Sequence, residues 1–549
     1  MSVVIIVLVF LLAVVASTYI SRLLPIPVPL PLLQIAIGAT LSAFGFDVAF
    51  DSHLFLLLFI PPLLFLDGWR IPKGAFFQDW KPILTLAIGL VVFTVLGMGW
   101  FIHWIVPVIP LAAAFALAAI LSPTDPVAVG AMTATAPMPS RLLHILEGES
   151  LLNDATGLVC FTFAVAATMT GTFSLADASL SFVLVAGGGV AVGVVVTWLV
   201  GRANRLLVRH AGEDPATQIL ISLLIPFAAY LGAEHLHVSG ILAAAVAGIA
   251  MHYGELAGRP HALTRMQRNA VWDTVQTALN GIIFVLLGEQ LPRILRDLPE
   301  VAASVGARSG WHLLGYVVAI TLGLGLLRFL WVWTALRVVV FGAKLRGRQR
   351  TMPRTRLLAV TAAAGVRGAI TLAGILTLPL LLPDGNAFPA REAMIFFAMG
   401  VILLSLMIAS LALPVLTRGL GADLPEPNRG GSERNARTAS AEAAIRCIEQ
   451  QLATGKDGDR VAELRAEAGA HLLDVYRRRL HYGDPSGENA ADIKALAKAE
   501  RELRVLALRA ERDEIYRLHL GNSIDDSLHQ QLVREIDLKE AALIKGKGH

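Results

Sequence analysis

Residues 111–132 read LAAAFALAAILSPTDPVAVGAM, and this stretch decides the fold class. It is apolar and has about the 20 residues that a bilayer crossing requires, yet Pro123, Asp125 and Pro126 interrupt its middle. Proline removes a backbone donor and clashes with the preceding turn, so the helix is predicted to break here. Such breaks place helix ends and free carbonyls inside a membrane protein, where ions can bind. The alternative is a simple kink in which Asp125 caps the second half-helix.

The composition agrees with a membrane protein. Of the 549 residues, 55% are hydrophobic and only 16% are charged, and the mean hydropathy is +0.64. A soluble chain carries about 25% charged residues. This difference excludes an ordinary soluble enzyme, a disordered protein and a nucleic-acid partner. The two cysteines lie in different segments, which argues against a disulfide framework or a zinc site.

Apolar spans recur along the first 420 residues. We predict thirteen transmembrane helices, and therefore an all-α polytopic membrane protein, with approximate spans 2–20, 30–46, 53–69, 82–106, 110–133, 148–170, 179–201, 216–234, 237–253, 271–291, 311–336, 355–380 and 392–417. With the C-terminal tail in the cytoplasm, an odd number of spans puts the N-terminus outside. The loops then predicted to be cytoplasmic carry 18 lysines and arginines against 4 in the outer loops. This bias is typical of a bacterial plasma-membrane protein in that orientation.

The chain is predicted to have three parts. Residues 1–420 form the transmembrane domain, and residues 421–440, which are rich in Gly, Pro, Asn and Ser, form a linker. Residues 441–549 form a cytoplasmic domain of short amphipathic helices, because apolar residues recur there at helical spacing. One such face comprises Val461, Leu464, Ala468, Leu472 and Val475. We expect this domain to have a regulatory or dimer-contacting role.

A second polar cluster lies at residues 147–154, which read EGESLLND. On a helix, Ser150 and Asp154 are four residues apart and share one face, and Glu149 and Asn153 form the neighbouring pair. Acidic residues at a helix N-terminus are favoured by the helix dipole. That interpretation suits Glu147, and Glu149 less well, but it suits Asp154 poorly, because Asp154 lies two turns inside the helix and is followed by an apolar run.

Two arginines lie inside apolar spans, Arg328 in LGLGLLRFLWVW and Arg367 in AAAGVRGAITLAG. A charge near the bilayer centre costs on the order of 3 kcal/mol or more, so each arginine requires an anion or carbonyl oxygens. The acids Asp125 and Glu149 are candidates for pairing with them, which would leave Asp154 as the free carboxylate. Asp67 lies near the end of a span beside Arg70, and a surface position is the favoured interpretation.

One free carboxylate is sufficient for exchange chemistry. In its ionised form it suits a small hard cation such as Na⁺, and in its protonated form it does not hold that cation well. A site that binds either a proton or a cation, opened alternately to the two sides of a membrane, gives obligatory antiport. The sequence has no P-loop signature for ATP hydrolysis, so transport would be secondary.

The segments SPTDPVAVG, GESLLNDATGLV and GVRGAITLA closely resemble signature segments of bacterial sodium/proton exchangers. The relevant branch is the monovalent cation:proton antiporter family with an Asn-Asp pair, which is related to the animal sodium/proton exchangers. The resemblance covers residues 1–420. It implies two six-helix inverted repeats with two crossing broken helices, a dimerisation domain, a moving core domain and a homodimer.

The resemblance also implies roles for individual residues. Asp154 corresponds to the aspartate that binds cation and proton, and Asn153 is its partner. Thr124 and Ser150 correspond to oxygen donors near the ion. The remaining four correspond to structural charges: Glu149 with Arg328, and Asp125 with Arg367 at the crossing helix ends. No cofactor is implied beyond the transported Na⁺ (or K⁺ or Li⁺) and H⁺, and membrane lipid is the surrounding partner.

Antiport serving intracellular pH and sodium homeostasis is therefore the leading hypothesis. A proton-coupled symporter or a cation channel could use the same buried acids. An intramembrane hydrolase built on Ser150 and Asp154 is a more distant alternative, because no nucleophile motif surrounds Ser150 and His144 lies in a loop.

Overall fold

The structure, a computed structural model, is predominantly helical in its described part. It describes residues 3–24, 28–46, 52–71, 73–125, 140–171, 175–258, 261–306, 310–345, 355–418, 429–453, 460–482, 490–520 and 526–544. Within these residues there is no β-strand, and a single bridge joins Leu381 to Ala387. The chain divides into two compact units, residues 1–424 and residues 425–549.

The helices of the first unit are bounded as follows: α1 Val3–Leu23, α2 Leu30–Ala43, α3 Ser52–Arg70, α4 Lys73–Gln78, α5 Trp80–Leu84, α6 Val91–Ile105, α7 Leu111–Leu121, α8 Ser140–Thr170, α9 Leu175–Ala211, α10 Pro215–His235, α11 Gly240–Gly258, α12 Ala262–Arg296, α13 Leu298–Ser304, α14 Gly310–Leu345, α15 Thr355–Ala363, α16 Ala369–Leu376 and α17 Arg391–Thr417. A π-helical turn, Thr85–Leu90, joins α5 to α6. Every predicted span overlaps one or more of these helices. Among the described residues, eight helices are long and apolar enough to cross a membrane.

A first bundle is formed by α1, α2, α3 and α9–α12. Its closest contacts use glycine, as between α3 and α11. A β-carbon at Gly68 would lie 2.1 Å from the carbonyl oxygen of Ala245, and one at Gly248 would lie 2.0 Å from that of Phe65. Small residues allow membrane helices to approach at this distance, because lipid supplies no hydrophobic force between them.

A second bundle is formed by α5–α8 and α14–α17. Residues of α7 such as Leu117 and of α17 such as Phe397 are fully buried in its core. The π-helical turn packs against α14, where the ring nitrogen of Trp331 donates to the carbonyl oxygen of Thr85 at 3.2 Å. Two of its segments are broken, after α7 and between α15 and α16, as the proline and glycine positions predict.

The second unit comprises four helices, α18 Arg429–Ala453, α19 Arg460–Tyr482, α20 Ala490–Leu520 and α21 Asp526–Ile544. α18 packs on α19, and α20 packs on α21. Helix α18 begins at Arg429, within the predicted linker 421–440. The glycines and serine there suggested a loop, but the alanine-rich residues that follow favour helix and extend it backwards. Residues 419–428 lie outside the described part.

Candidate ion-binding site

The two breaks meet inside the first unit. α7 ends at Leu121 because Pro123 cannot continue it, and the Ser122 hydroxyl donates to the carbonyl oxygen of Ala119 at 2.9 Å. The backbone N–H of Asp125 then donates to the carbonyl oxygen of Val366 at 2.8 Å, between α15 and α16. The interrupted segments are thus joined through their backbones. Pro126 and the residues up to 139 lie outside the described part.

α8 holds Thr124 in place from the side. The Ser150 hydroxyl donates to the carbonyl oxygen of Thr124, and the Asn153 amide nitrogen donates to the Thr124 hydroxyl at 2.9 Å. All three residues are buried. The amide oxygen of Asn153 has no hydrogen-bond partner. Ser150, predicted as an oxygen donor near the ion, and Asn153, predicted as the partner of Asp154, therefore both contact Thr124.

Asp154 faces a cavity of about 50 Å³ that lies between the two bundles. Residues of both bundles line the cavity. The second bundle contributes Thr124, Asp125, Asp154 on α8, and Gly368, Ile370 and Thr371 at the start of α16. From the first bundle come Ile60, Leu63, Leu64 and Asp67 on α3, and Asn280 on α12. Its polar groups are carboxylate, hydroxyl and amide oxygens, which are the donors that hard cations prefer. Asp154 itself is only 5% exposed.

Asp67 and Asn280, two polar residues that the first bundle contributes to this cavity, were not assigned as site residues from the sequence. Asp67 was interpreted as a surface residue, because it is close to Arg70 at the end of a span. Asn280 carries no charge and belongs to none of the sequence motifs, so it was not singled out. Both belong to the first bundle, and only the packing of that bundle against α8 brings them opposite Asp154.

Glu149 and Arg328 form the predicted buried ion pair. The guanidinium of Arg328 donates to both carboxylate oxygens of Glu149, at 2.5 and 2.7 Å, and its Nε donates to the carbonyl oxygen of Thr361 at 2.8 Å. The side chains are 1% and 3% exposed. The pair therefore links α8, α14 and α15, with the charges satisfied internally.

Asp125 and Arg367 lie at the crossing, but they do not make the predicted ion pair with each other. The Asp125 carboxylate packs against Gly368, the residue before α16, where a β-carbon would lie 1.8 Å from it. Arg367 donates from Nη1 to the carbonyl oxygen of Gly365 at 2.6 Å, and its Nε has no partner. Arg367 thus bonds a carbonyl oxygen left free where α15 ends, two residues before it. An anion at a helix start and a cation near a helix end each oppose the local dipole.

Comparison with known proteins shows the family to which the chain belongs. Residues 7–419 match the family described as sodium/hydrogen exchanger, transmembrane. The chain belongs to this family. It is 43% identical, over 98% of both chains, to a protein of Escherichia coli (strain K12) named uncharacterized Na(+)/H(+) exchanger YjcE. It is 38% identical to the sodium, potassium, lithium and rubidium/H(+) antiporter of Bacillus pumilus, over 99% of this chain and 76% of that one.

A solved structure shares the fold. The sodium proton antiporter MjNhaP1 from Methanocaldococcus jannaschii aligns with a TM-score of 0.54 at 18% identity, covering 76% of this chain and 99% of that chain. The exchanger is accordingly a multi-span membrane transporter rather than an enzyme.

Proposed function

We propose that this exchanger is a secondary antiporter that moves Na⁺, and also K⁺ or Li⁺, against H⁺, with Asp154 binding either the cation or the proton. The observation that carries the proposal is the cavity between the bundles, into which a buried carboxylate projects among oxygen donors. The negative charge of Asp154 attracts a cation, and protonation removes that charge. Occupancy by one ion therefore excludes the other.

The position of the cavity supports a proposal of alternating access. Because its walls come from two bundles, a movement of one bundle past the other would open it to one side of the membrane and close it to the other. The second bundle carries Asp154 and both broken segments, so it is the part that moves with the ion. The glycine-packed first bundle is the scaffold and the dimer contact.

The neighbouring polar groups complete the proposed site. Thr124 supplies an oxygen ligand beside Asp154. Ser150 and Asn153 hold Thr124 in position, and their side-chain oxygens coordinate the cation when it binds. Glu149 and Arg328 hold α8 against α14. Asp125 and Arg367 offset the charges of the helix ends at the crossing.

The membrane orientation, the location of the tail and the physiological role are proposed from the sequence. The N-terminus lies outside the plasma membrane, the tail lies in the cytoplasm as a regulatory domain, and the physiological role is pH and sodium homeostasis. The breadth of cations named for the Bacillus pumilus relative supports a site that accepts several alkali ions.

The test is a cation series in proteoliposomes holding the purified protein and a pH-sensitive dye. A proton gradient is imposed, and Na⁺, K⁺, Li⁺ or Rb⁺ is added at neutral and alkaline pH. Antiport predicts that an effective cation collapses the proton gradient, because the cation and the proton cross the membrane in opposite directions. A channel would pass the cation without any gradient, and a symporter would move both ions the same way. Absence of cation-dependent proton movement for all four ions would refute the proposal.

A further inference from the structure

A line of polar side chains leads from one end of the first bundle towards the cavity. On α12, Asp273, Gln276 and Asn280 are spaced by three and four residues, so they share one helix face. Asn280 lines the cavity, whereas the Asp273 side chain is 66% exposed at the other end of this line. Seven residues of α-helix span about 10 Å. The line therefore covers the distance between an exposed carboxylate and the proposed ion site.

Arg70 crosses this line from the facing helix. Its guanidinium donates to the carboxylate of Asp273 and, at 2.7 Å, to the amide oxygen of Gln276. Asp67 precedes it by one turn of α3 and lines the same cavity. Going inwards, the gap between α3 and α12 therefore presents the Arg70–Asp273 ion pair, then Gln276, and then Asp67 and Asn280.

We infer that this line is the path by which the cation reaches the cavity from the side predicted to be cytoplasmic, and that the Arg70–Asp273 pair controls admission to it. The inference rests on the proposed function, since it concerns access to the same site. The Asp273 carboxylate attracts a cation to the mouth, and the Arg70 guanidinium repels it from the same place. A partly exposed ion pair is weak. It can therefore open and re-form within a transport cycle.

The two members of the pair give opposite predictions. Arg70→Gln removes a positive charge from the mouth, so the apparent KM for the cation falls by about two- to fivefold. Asp273→Asn leaves Arg70 in place without its partner, so the KM rises by a similar factor. The double variant has the net charge of the wild type and returns towards its KM. Raising the ionic strength with an impermeant salt shrinks the KM shifts of both single variants.

Matched controls separate access from helix clamping. Arg356, an exposed arginine that donates to the carbonyl oxygen of Val415, serves for Arg70 as Arg356→Gln. Glu392, whose side chain is 68% exposed in its ion pair with Arg391, serves for Asp273 as Glu392→Gln. Neither control should change the KM. If the pair only ties α3 to α12, both test variants shift KM and stability in the same direction, and the inference is wrong.

Cysteine labelling tests the path even in a transport-inactive protein. In a background with Cys160 and Cys447 replaced by serine, Gln276→Cys and Asn280→Cys are expected to react with a water-soluble cationic methanethiosulfonate. The reaction is expected to be faster when Arg70→Gln is added. Val275→Cys is the control, because Val275 packs against the buried cluster that contains Trp272 and does not line the cavity. Equal protection of positions 275, 276 and 280 would overturn the path, whereas loss of exchange in the wild type would overturn only the proposed function.

Discussion

The two bundles that meet at the cavity are held together by different interactions. In the first, backbones touch through reciprocal glycine contacts: a β-carbon at Gly38 would lie 1.9 Å from the carbonyl oxygen of Val285, and one at Gly288 would lie 2.0 Å from that of Ile35. In the second, the buried pair of Glu149 and Arg328 joins three helices. Close backbone packing at glycines thus holds the helices of the first bundle together, and a buried ion pair joins helices of the second.

This difference fits the proposal that the first bundle is a scaffold and that the second bundle carries the ion-binding Asp154. Backbone contact fixes the distance between two helices and allows little rearrangement. A buried ion pair compensates its own charges and so leaves Asp154, a few residues along the same helix, as the group whose charge state changes with its occupant. The following predictions test the contrast in order of decreasing effect.

The largest effect is expected from breaking the charge pair. Glu149→Gln leaves the Arg328 guanidinium buried without its carboxylate, which costs about 3–5 kcal/mol of stability. The measurement is the midpoint of thermal unfolding in detergent, followed by tryptophan fluorescence. The double variant Glu149→Gln/Arg328→Gln is expected to recover part of the loss. Exposed Glu392→Gln is the control, and an equal loss there would show that burial is not the cause.

A smaller effect is expected from separating the glycine-packed helices. Gly248→Ala forces a methyl group against the backbone of Phe65 and is expected to cost about 1–3 kcal/mol. Gly254→Ala lies on the same helix with nothing within 4 Å of its β-carbon position, and should leave stability unchanged or slightly raised. Thermal unfolding of the two variants side by side checks this. Similar midpoints for both would mean that the close contact is not required.

The smallest effect concerns the support of Thr124. Ser150→Ala removes the hydroxyl that donates to the Thr124 carbonyl, an interaction of about 0.5–1.5 kcal/mol. The expected result is a two- to tenfold rise in the KM for the cation, at about 1.4 kcal/mol per tenfold. Ser410→Ala is the control, because the Ser410 hydroxyl donates within its own helix. An unchanged KM in Ser150→Ala would exclude a role for this bond in cation binding.

Much of the fold could be predicted from local sequence. Apolar length locates the helices, and Pro123 and the glycines beside Arg367 locate the breaks, because these residues act on their own turns. That a guanidinium inside an apolar span requires an anion or carbonyl oxygens could also be predicted, but the specific pairing of Glu149 with Arg328 was implied only by the family resemblance.

The partners of Arg367, and the positions of Asp67 and Asn280, could not be predicted in this way. Arg367 had two kinds of acceptor available, and only the geometry between α15 and α16 favours the carbonyl oxygen of Gly365. Asp67 and Asn280 reach the cavity through contacts between bundles that are distant in sequence. Spacing along one chain segment contains no information about such contacts.

The central claim is that a single aspartate carries both the cation and the proton. The most direct measurement compares Asp154→Asn and Asp67→Asn, which line the same cavity from opposite bundles, in proteoliposomes, with cation-induced collapse of an imposed proton gradient as the readout. Unfolding midpoints close to that of the wild type show that each variant is folded. The account predicts no exchange in Asp154→Asn and persistent exchange with altered KM in Asp67→Asn. Exchange that persists in folded Asp154→Asn would contradict it.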